Sequence, residues 1–231
     1  MRFLRYLPLA ALVFAGACDE EGTVTNVTRP PLAYIRYVHA VPNAGPLDFK
    51  FIDAVEYSPS YANSTFRTIG IFQGARAGSR RIKVFLNSSN IDSTKVALVD
   101  TTLTLTANTY YTIAHMGFRN PGAGQLGQRL VVIEETRPAQ NAGIHWRSVN
   151  LMVGEPNQDV HVGAAPGTTA ATNVAPGVGM AYLARATGTF TVHTTDAGVA
   201  TSRASATPFA GVAGNTTADP VGGFNIAGSQ M

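Results

Sequence analysis

His39 and Asp48 flank a Pro42-Asn43-Ala44-Gly45-Pro46 turn. An imidazole and a carboxylate brought together are the pair that general-base chemistry uses. A hydrolase of the Ser-His-Asp type also needs an activated nucleophile, and the sequence has no Gly-x-Ser-x-Gly elbow. The remaining histidines, His115, His145, His161 and His193, form no His-x-x-x-His or Glu-containing zinc motif, and no second cysteine exists to assist them. Strand spacing could still bring His161 and His193 together, but the expectation is no metal and no cofactor. Among the carboxylates, Asp53 and Glu56 are close in sequence. Glu134 and Glu135 are adjacent, so on a strand they point to opposite faces and do not form an acid/base pair. Asp92 and Asp100 read as loop and turn residues. Gly122-x-Gly124-x-x-Gly127 matches a dinucleotide fingerprint only as a string, because no strand–helix unit surrounds it. It reads as a hairpin loop, and its neighbours Phe118, Arg119 and Asn120 make that loop, together with His39, the candidate binding surface. Tyr34, Tyr37, Tyr57, Tyr61, Tyr110 and Tyr111 could stack on a sugar, but core packing is the expected use of aromatics on alternating strands.

These residues must be positioned by strands. Leu32–Val41 alternates and is rich in Tyr, Ile and Val, and Leu47–Ile52 returns after the turn. The two runs are expected to form a hairpin or an interlocking corner. Further strands are predicted at Phe66–Phe72, Arg80–Leu86, Val96–Leu105, Thr109–His115 and Gln128–Glu135, with turns at Gln73–Ser79, Asn87–Ser93, Thr106–Asn108 and Asn120–Gly127. Short strands at this spacing indicate an all-β fold built from antiparallel, immunoglobulin-like sandwiches.

The first run recurs in the middle of the chain. Arg36 and Asp48 align with Arg147 and Asp159 at an offset of 111 residues, which also places Val38 on Val149 and Phe49 on Val160. Phe72, Gly78 and Ile82 align with Tyr182, Gly188 and Val192 at 110, and Tyr111–Ala114 aligns with Phe224–Ala227 at 113. So steady an offset predicts two tandem domains. The boundaries are a first sandwich over 32–137, a linker over 138–143 and a second sandwich over 144–231. The second is expected to lack the counterpart of its neighbour's last strand, through truncation, a shorter domain or an edge filled by a partner. Arg and Asp recur in both copies whereas His39 falls on Asn150. An Arg36–Asp48 pair, repeated as Arg147–Asp159, is therefore expected to pin each domain structurally. Trp146 is expected to pack at the start of the second domain or at the domain interface.

The residues Arg36, Val38, His39-Ala40, Pro42-Asn43-Ala44, Pro46 and Asp48-Phe49, followed by Ile71-Phe72 and Ala77-Gly78, resemble the opening motif and second segment of the bacterial domain of unknown function 4397 family. The resemblance covers about 32–137 well and about 145–231 more weakly, where Asn150 replaces the motif histidine and Val153-Gly154 its proline region. It implies an exported, often lipid-anchored β-sandwich protein, commonly with tandem domains, and no established activity.

Residues 1–18 carry Arg2 and Arg5, a short apolar stretch from Leu7 to Ala17, and then Cys18. The stretch is too short to span a bilayer and has the layout of a secretory signal. Ala15-Gly16-Ala17 before the only cysteine resembles the bacterial lipoprotein signal, in which Cys18 is the lipidated residue. Residues 19–31 then read as a tether. Removing Arg2 and Arg5 leaves 15 basic against 14 acidic residues, so the high pI gives no reason to expect a nucleic-acid partner. Arg76, Arg80 and Arg81 read as a solvated strand face. The sequence thus predicts a cell-envelope protein held to a membrane through Cys18, exposed on the periplasmic or outer side. Its expected role is non-enzymatic binding, adhesion or structure toward an envelope protein or glycan. The alternative is an envelope hydrolase or carbohydrate-active enzyme with a site near His39 and Asp48.

Overall fold

A computed structural model describes residues 29–136, 144–165, 167–185, 188–212 and 223–225. The expected signal segment with Cys18, nearly all of the tether and the 138–143 linker lie outside them. From Pro31 onward the chain forms one compact unit, and nearly all of its regular structure is strand.

The first half contains eight strands: β1 (Leu32–Ala40), β2 (Leu47–Phe51), β3 (Ser60–Ser64), β4 (Gln73–Arg76), β5 (Gly78–Leu86), β6 (Ala97–Leu105), β7 (Tyr110–Met116) and β8 (Arg129–Glu135). They make two four-stranded sheets with orders β4-β1-β7-β8 and β3-β2-β5-β6. β1 and β2 therefore lie in different sheets, and Pro42–Pro46 turns a corner between them; no hairpin forms. β1 pairs with β7 in parallel, in contrast to the antiparallel pairing elsewhere in the two sheets. The long chain between β1 and β7 passes through the other sheet and returns, which is the crossover that a parallel pair requires. Alternation fills the interior: Ala33, Ile35 and Tyr37 from β1, Leu47, Phe49 and Phe51 from β2, and Ile82 and Val84 from β5 are all buried.

The predicted strand at Phe66–Phe72 is replaced by a turn. Arg67 has a positive φ of 71°, and only Ile69 makes an isolated bridge, to Val38. The strands fall on either side of it, as β3 and β4. Within the predicted turn 87–93, the chain begins a short helix, α1 (Ile91–Lys95), whose first turn is capped by the Asn90 side chain accepting from Asp92 N–H. Asp100 is not a turn residue. It lies within β6, where Arg81 on β5 pairs with it at 2.8 Å and Lys83 at 3.2 Å.

The second half contains β9 (Ile144–Trp146), β10 (Gln158–Val162), β11 (Thr168–Val174), β12 (Leu183–Arg185), β13 (Gly188–Asp196), β14 (Ser202–Val212) and β15 (Gly223–Asn225). Its sheets run β12-β9 and β11-β10-β13-β14-β15. The first reproduces β4-β1, and the first four strands of the second reproduce β3-β2-β5-β6. β15 aligns in sequence with β7 yet pairs antiparallel with its predecessor β14. Neighbours in sequence pair most readily. The counterpart of β8 would fall beyond residue 225, outside the described residues.

The second core is smaller, with Trp146, Val160, Val174, Met180, Phe190 and Val192. Trp146 packs against Phe190, with ring centroids 5.7 Å apart. Tyr61 of the first half aligns with Ala171. Beside Ala171, Val174 and Met180 the second half has an open apolar groove of ≈ 400 Å³.

Candidate functional site

His39 and Asp48 do not converge. His39 closes β1 and is fully buried. Its Nδ1 accepts Val41 N–H at 3.2 Å, and its Nε2 lies 3.2 Å from Gly45 O. Those partners assign the neutral Nε2–H tautomer and use both nitrogens, so the ring holds the corner turn. Burial lowers its pKa, and the hydrogen bond to Gly45 opposes this.

Asn150 shows what the position requires. Asn150 Oδ1 accepts Met152 N–H at 3.0 Å, two residues on, as His39 accepts Val41 N–H, and Asn150 Nδ2 donates to Val174 O at 2.8 Å. The backbones match as well. His39 N–H donates to Thr68 O and His39 O accepts Arg67 N–H, while Asn150 N–H donates to Val178 O and Asn150 O accepts Gly177 N–H. The side chain at this position is a turn clamp.

Asp48 sits opposite a bulge. Between Leu47 and Phe49 the β2–β3 register shifts, and Asn63 takes a positive φ of 52°. Asp48 Oδ1 accepts the Asn63 N–H that the bulge exposes, at 2.9 Å, and also Asn87 Nδ2 at 2.9 Å. Lys50 is 3.4 Å from Oδ2. Burial raises the Asp48 pKa, but the Asn63, Asn87 and Lys50 contacts outweigh it and the net shift is downward. Asp159 repeats the arrangement. Asn173, with φ 56°, donates its N–H to Oδ1 at 2.7 Å, and Gly198 N–H donates to Oδ2 at 2.9 Å. Those two backbone donors lower the Asp159 pKa.

The expected Arg36–Asp48 and Arg147–Asp159 pairs are therefore absent. Arg36 and Asp48 lie on different sheets. Both arginines instead reach Glu135, at the end of β8, whose side chain is only 1% exposed. Arg36 Nη2 lies 3.1 Å and Arg147 Nη2 2.8 Å from Oε1. Thr112 and Tyr182 donate their hydroxyls to the two carboxylate oxygens. The guanidiniums lie over aligned aromatics, Arg36 at 4.7 Å from the Phe72 centroid and Arg147 at 4.9 Å from Tyr182. Burial acts to raise the Glu135 pKa. The two hydroxyls and the two cations outweigh it and keep the group ionised. Burial, reinforced by Glu135, pushes Tyr182 up to about 12. Glu135 is the principal residue whose role the sequence does not announce, and the available signal is an arginine repeated in both halves.

The same seam continues along β8. Gly177 has φ +86°, and a Cβ there would stand 3.2 Å from Val131 and 3.4 Å from Met116. A glycine suits both the backbone angle and the close approach, whereas Arg67, its exposed counterpart, meets only the first condition.

His161 and His193 do come together, as a cross-strand pair with rings stacked at 5.1 Å. The His161 nitrogens, however, face the hydroxyls of Thr195 and Thr169 at 3.1 and 3.4 Å. No group of three or more metal-ligating side chains occurs among the described residues. Next to His39, His115 is fully buried, with Tyr37 Oη 2.9 Å from its Nδ1. Neither His115 Nε2 nor the neighbouring Gln128 amide oxygen has a well-formed hydrogen bond among the described residues. Burial, with His39 adding repulsion and Gln128 opposing, lowers the His115 pKa to about 4.

The Gly122–Gly127 segment is a loop between β7 and β8, closed by Gln125 N–H donating to Gly122 O, and no helix follows it. Phe118 and Arg119 are half-buried and Asn120 is exposed. Arg119 N–H donates to Asn43 Oδ1 at 2.7 Å, which ties this loop to the corner turn. Of the candidate binding residues, His39 is thus inaccessible and 118–120 remain at the surface. The six tyrosines divide: Tyr37, Tyr61 and Tyr111 are buried in the core, Tyr34 and Tyr110 stack on each other at 4.6 Å, and Tyr57 is exposed. Arg80 is no solvated strand residue either. It is buried, and its guanidinium grips Asp53.

No curated protein matches the chain. The sequence model of the family described as Domain of unknown function (DUF4397) matches residues 33–151, which takes in β1 from its second residue through β9, together with Arg36, Asp48, Glu135 and Arg147. The chain belongs to the DUF4397 family.

Proposed function

We propose that this is a non-enzymatic cell-envelope protein, exported and anchored by lipid at Cys18, whose two tandem sandwich domains present loops for binding or adhesion. The observation that carries the non-catalytic reading is the commitment of His39 and Asp48 to backbone donors and acceptors. A general base needs a free lone pair facing a substrate, and His39 Nδ1 already accepts Val41 N–H within a closed core. The enzyme alternative loses its best residues by the same geometry. Two tandem domains are supported by the shared strand order and by the Asp–Asn bulge, His/Asn clamp and Arg–aromatic contacts that recur at offsets of 110 to 111. The anchor reading rests on the Arg2/Arg5, apolar and Ala-Gly-Ala-Cys pattern. Acyl chains on a single residue hold a protein durably when more than one is attached. The test is expression in a bacterial host with radioactive palmitate. The wild-type chain should label and sediment with membranes, and Cys18→Ser should do neither. Equal labelling of the two would refute the anchor.

A further inference from the structure

One end of the first sandwich carries an apolar loop that the structure holds rigidly in solvent. Between β2 and β3, Val55 is 96% exposed, Ile52 42% and Tyr57 37%. Such a tip usually collapses or moves, but here Arg80 fixes it from beneath. The guanidinium, 3% exposed as a side chain and 4.5 Å from the Phe51 ring centroid, grips the loop at three points. Its Nε and Nη2 donate to Asp53 at 3.0 Å, Nη2 donates to Ser58 Oγ at 2.7 Å, and Nη1 donates to Tyr57 O at 3.3 Å. Tyr57 itself has a φ of +49°, a strained angle for an aromatic residue that persists only where the surroundings enforce it.

The loop lies beside the point where the chain enters the sandwich. Consecutive residues do the joining: Arg76 N–H donates to Tyr57 O and Ala77 N–H donates to Pro31 O, both at 2.9 Å. We infer that this end is a membrane-facing surface and that Ile52, Val55 and Tyr57 insert into the headgroup region of the bilayer to which the chain is tethered. The inference rests on the proposed anchor at Cys18. Twelve residues separate Cys18 from Pro31, a reach of at most about 47 Å, so a tethered loop meets the surface at high effective concentration and needs little intrinsic affinity. Three side chains are too few for the core of a protein interface, which takes roughly 800 Å² from each partner. They suit shallow insertion, and Tyr belongs at the lipid–water boundary. Charge does not drive the contact: Asp53 is neutralised by Arg80, and exposed Glu56 and exposed Arg76 offset each other in formal charge. Insertion is therefore apolar and indifferent to the sign of the headgroup.

The test couples the full chain through Cys18, its only thiol, to vesicles bearing a maleimide lipid, in either phosphatidylcholine alone or a mixture with phosphatidylglycerol. Pulsed hydrogen exchange then compares tethered and free protein. The segment 52–58 should exchange several-fold more slowly on both vesicle types, while segment 87–96, which connects β5 and β6 at the other end of the sandwich, stays unchanged. Val55→Asp, at a solvent-exposed position, should abolish the protection. Unchanged exchange at 52–58, protection equal to that at 87–96, protection on anionic vesicles only, or a protected Val55→Asp chain would each overturn the inference. The thiol tether makes the result independent of native acylation, so failure here and failure of palmitate labelling are separate outcomes.

Discussion

Replacing His115 by Gln should remove most of an acid sensitivity that the first sandwich carries at mildly low pH. The buried ring stands between Tyr37, His39 and Gln128 and titrates at about 4 in the fold, against an ordinary 6.5. A histidine depressed in this way binds fewer protons folded than unfolded, so stability is full above about pH 6.5 and falls as pH drops toward 4. At roughly 1.4 kcal/mol per pH unit of displacement, the total loss is about 3 kcal/mol, of which about 2 kcal/mol has gone by pH 5. The lowered carboxylates, Asp48, Asp53 and Glu135 among them, lose their contributions only at lower pH, so the window from 7.5 to 5 isolates the histidines. His39 is also depressed and adds to the wild-type slope. The assay is urea unfolding at a series of pH values, followed by near-ultraviolet tyrosine dichroism, which reports the tyrosine-rich first core. His115→Gln should keep a hydrogen-bonding group beside Tyr37 and flatten the profile by about 2 kcal/mol at pH 5 relative to wild type. A wild-type profile already flat between pH 7.5 and 5, or a variant as steep as wild type, would refute the reasoning.

Two further outcomes follow from the clamps. Glu135→Gln leaves Arg147 largely buried without a counter-charge, so stability should fall by about 3 kcal/mol, measured by urea unfolding. A change under about 0.5 kcal/mol, the range of an ordinary surface substitution, would show that the ion cluster is idle. His39→Asn, which copies the second half, should cost less than about 1 kcal/mol, whereas His39→Leu strands Val41 N–H and Gly45 O and should cost about 2–3 kcal/mol. Equal losses in thermal unfolding would remove the clamp assignment.

The parts legible in the sequence were those with a local signature. β2, β5 and β6 alternate apolar and polar residues, β1, β7 and β8 are short apolar-rich runs, and the structure places each within a residue or two of the expected span. β3 was not legible, because Ser-Tyr-Ala-Asn-Ser has little apolar period and its pairing depends on a bulge at Asn63. The importance of Arg36, Asp48, Arg147 and Asp159 was visible as repetition, but their partners were not. Glu135 is 99 residues from Arg36, and no local pattern links them. His39 was legible as chemistry and misleading as function, since burial is a property of the assembled sheets. Asn150 in the second half carried the correction all along: a residue that Asn can replace is a hydrogen-bonding shape, not a proton carrier.

The carboxylate shared by two arginines makes the halves unequal. Severed between 136 and 144, the first half would keep Arg36 and its counter-ion Glu135, whereas the second would keep Arg147 and lose the one carboxylate that pairs with it among the described residues. A nascent chain emerging from its amino end would thus carry the buried anion, already paired with Arg36, before Arg147 arrives.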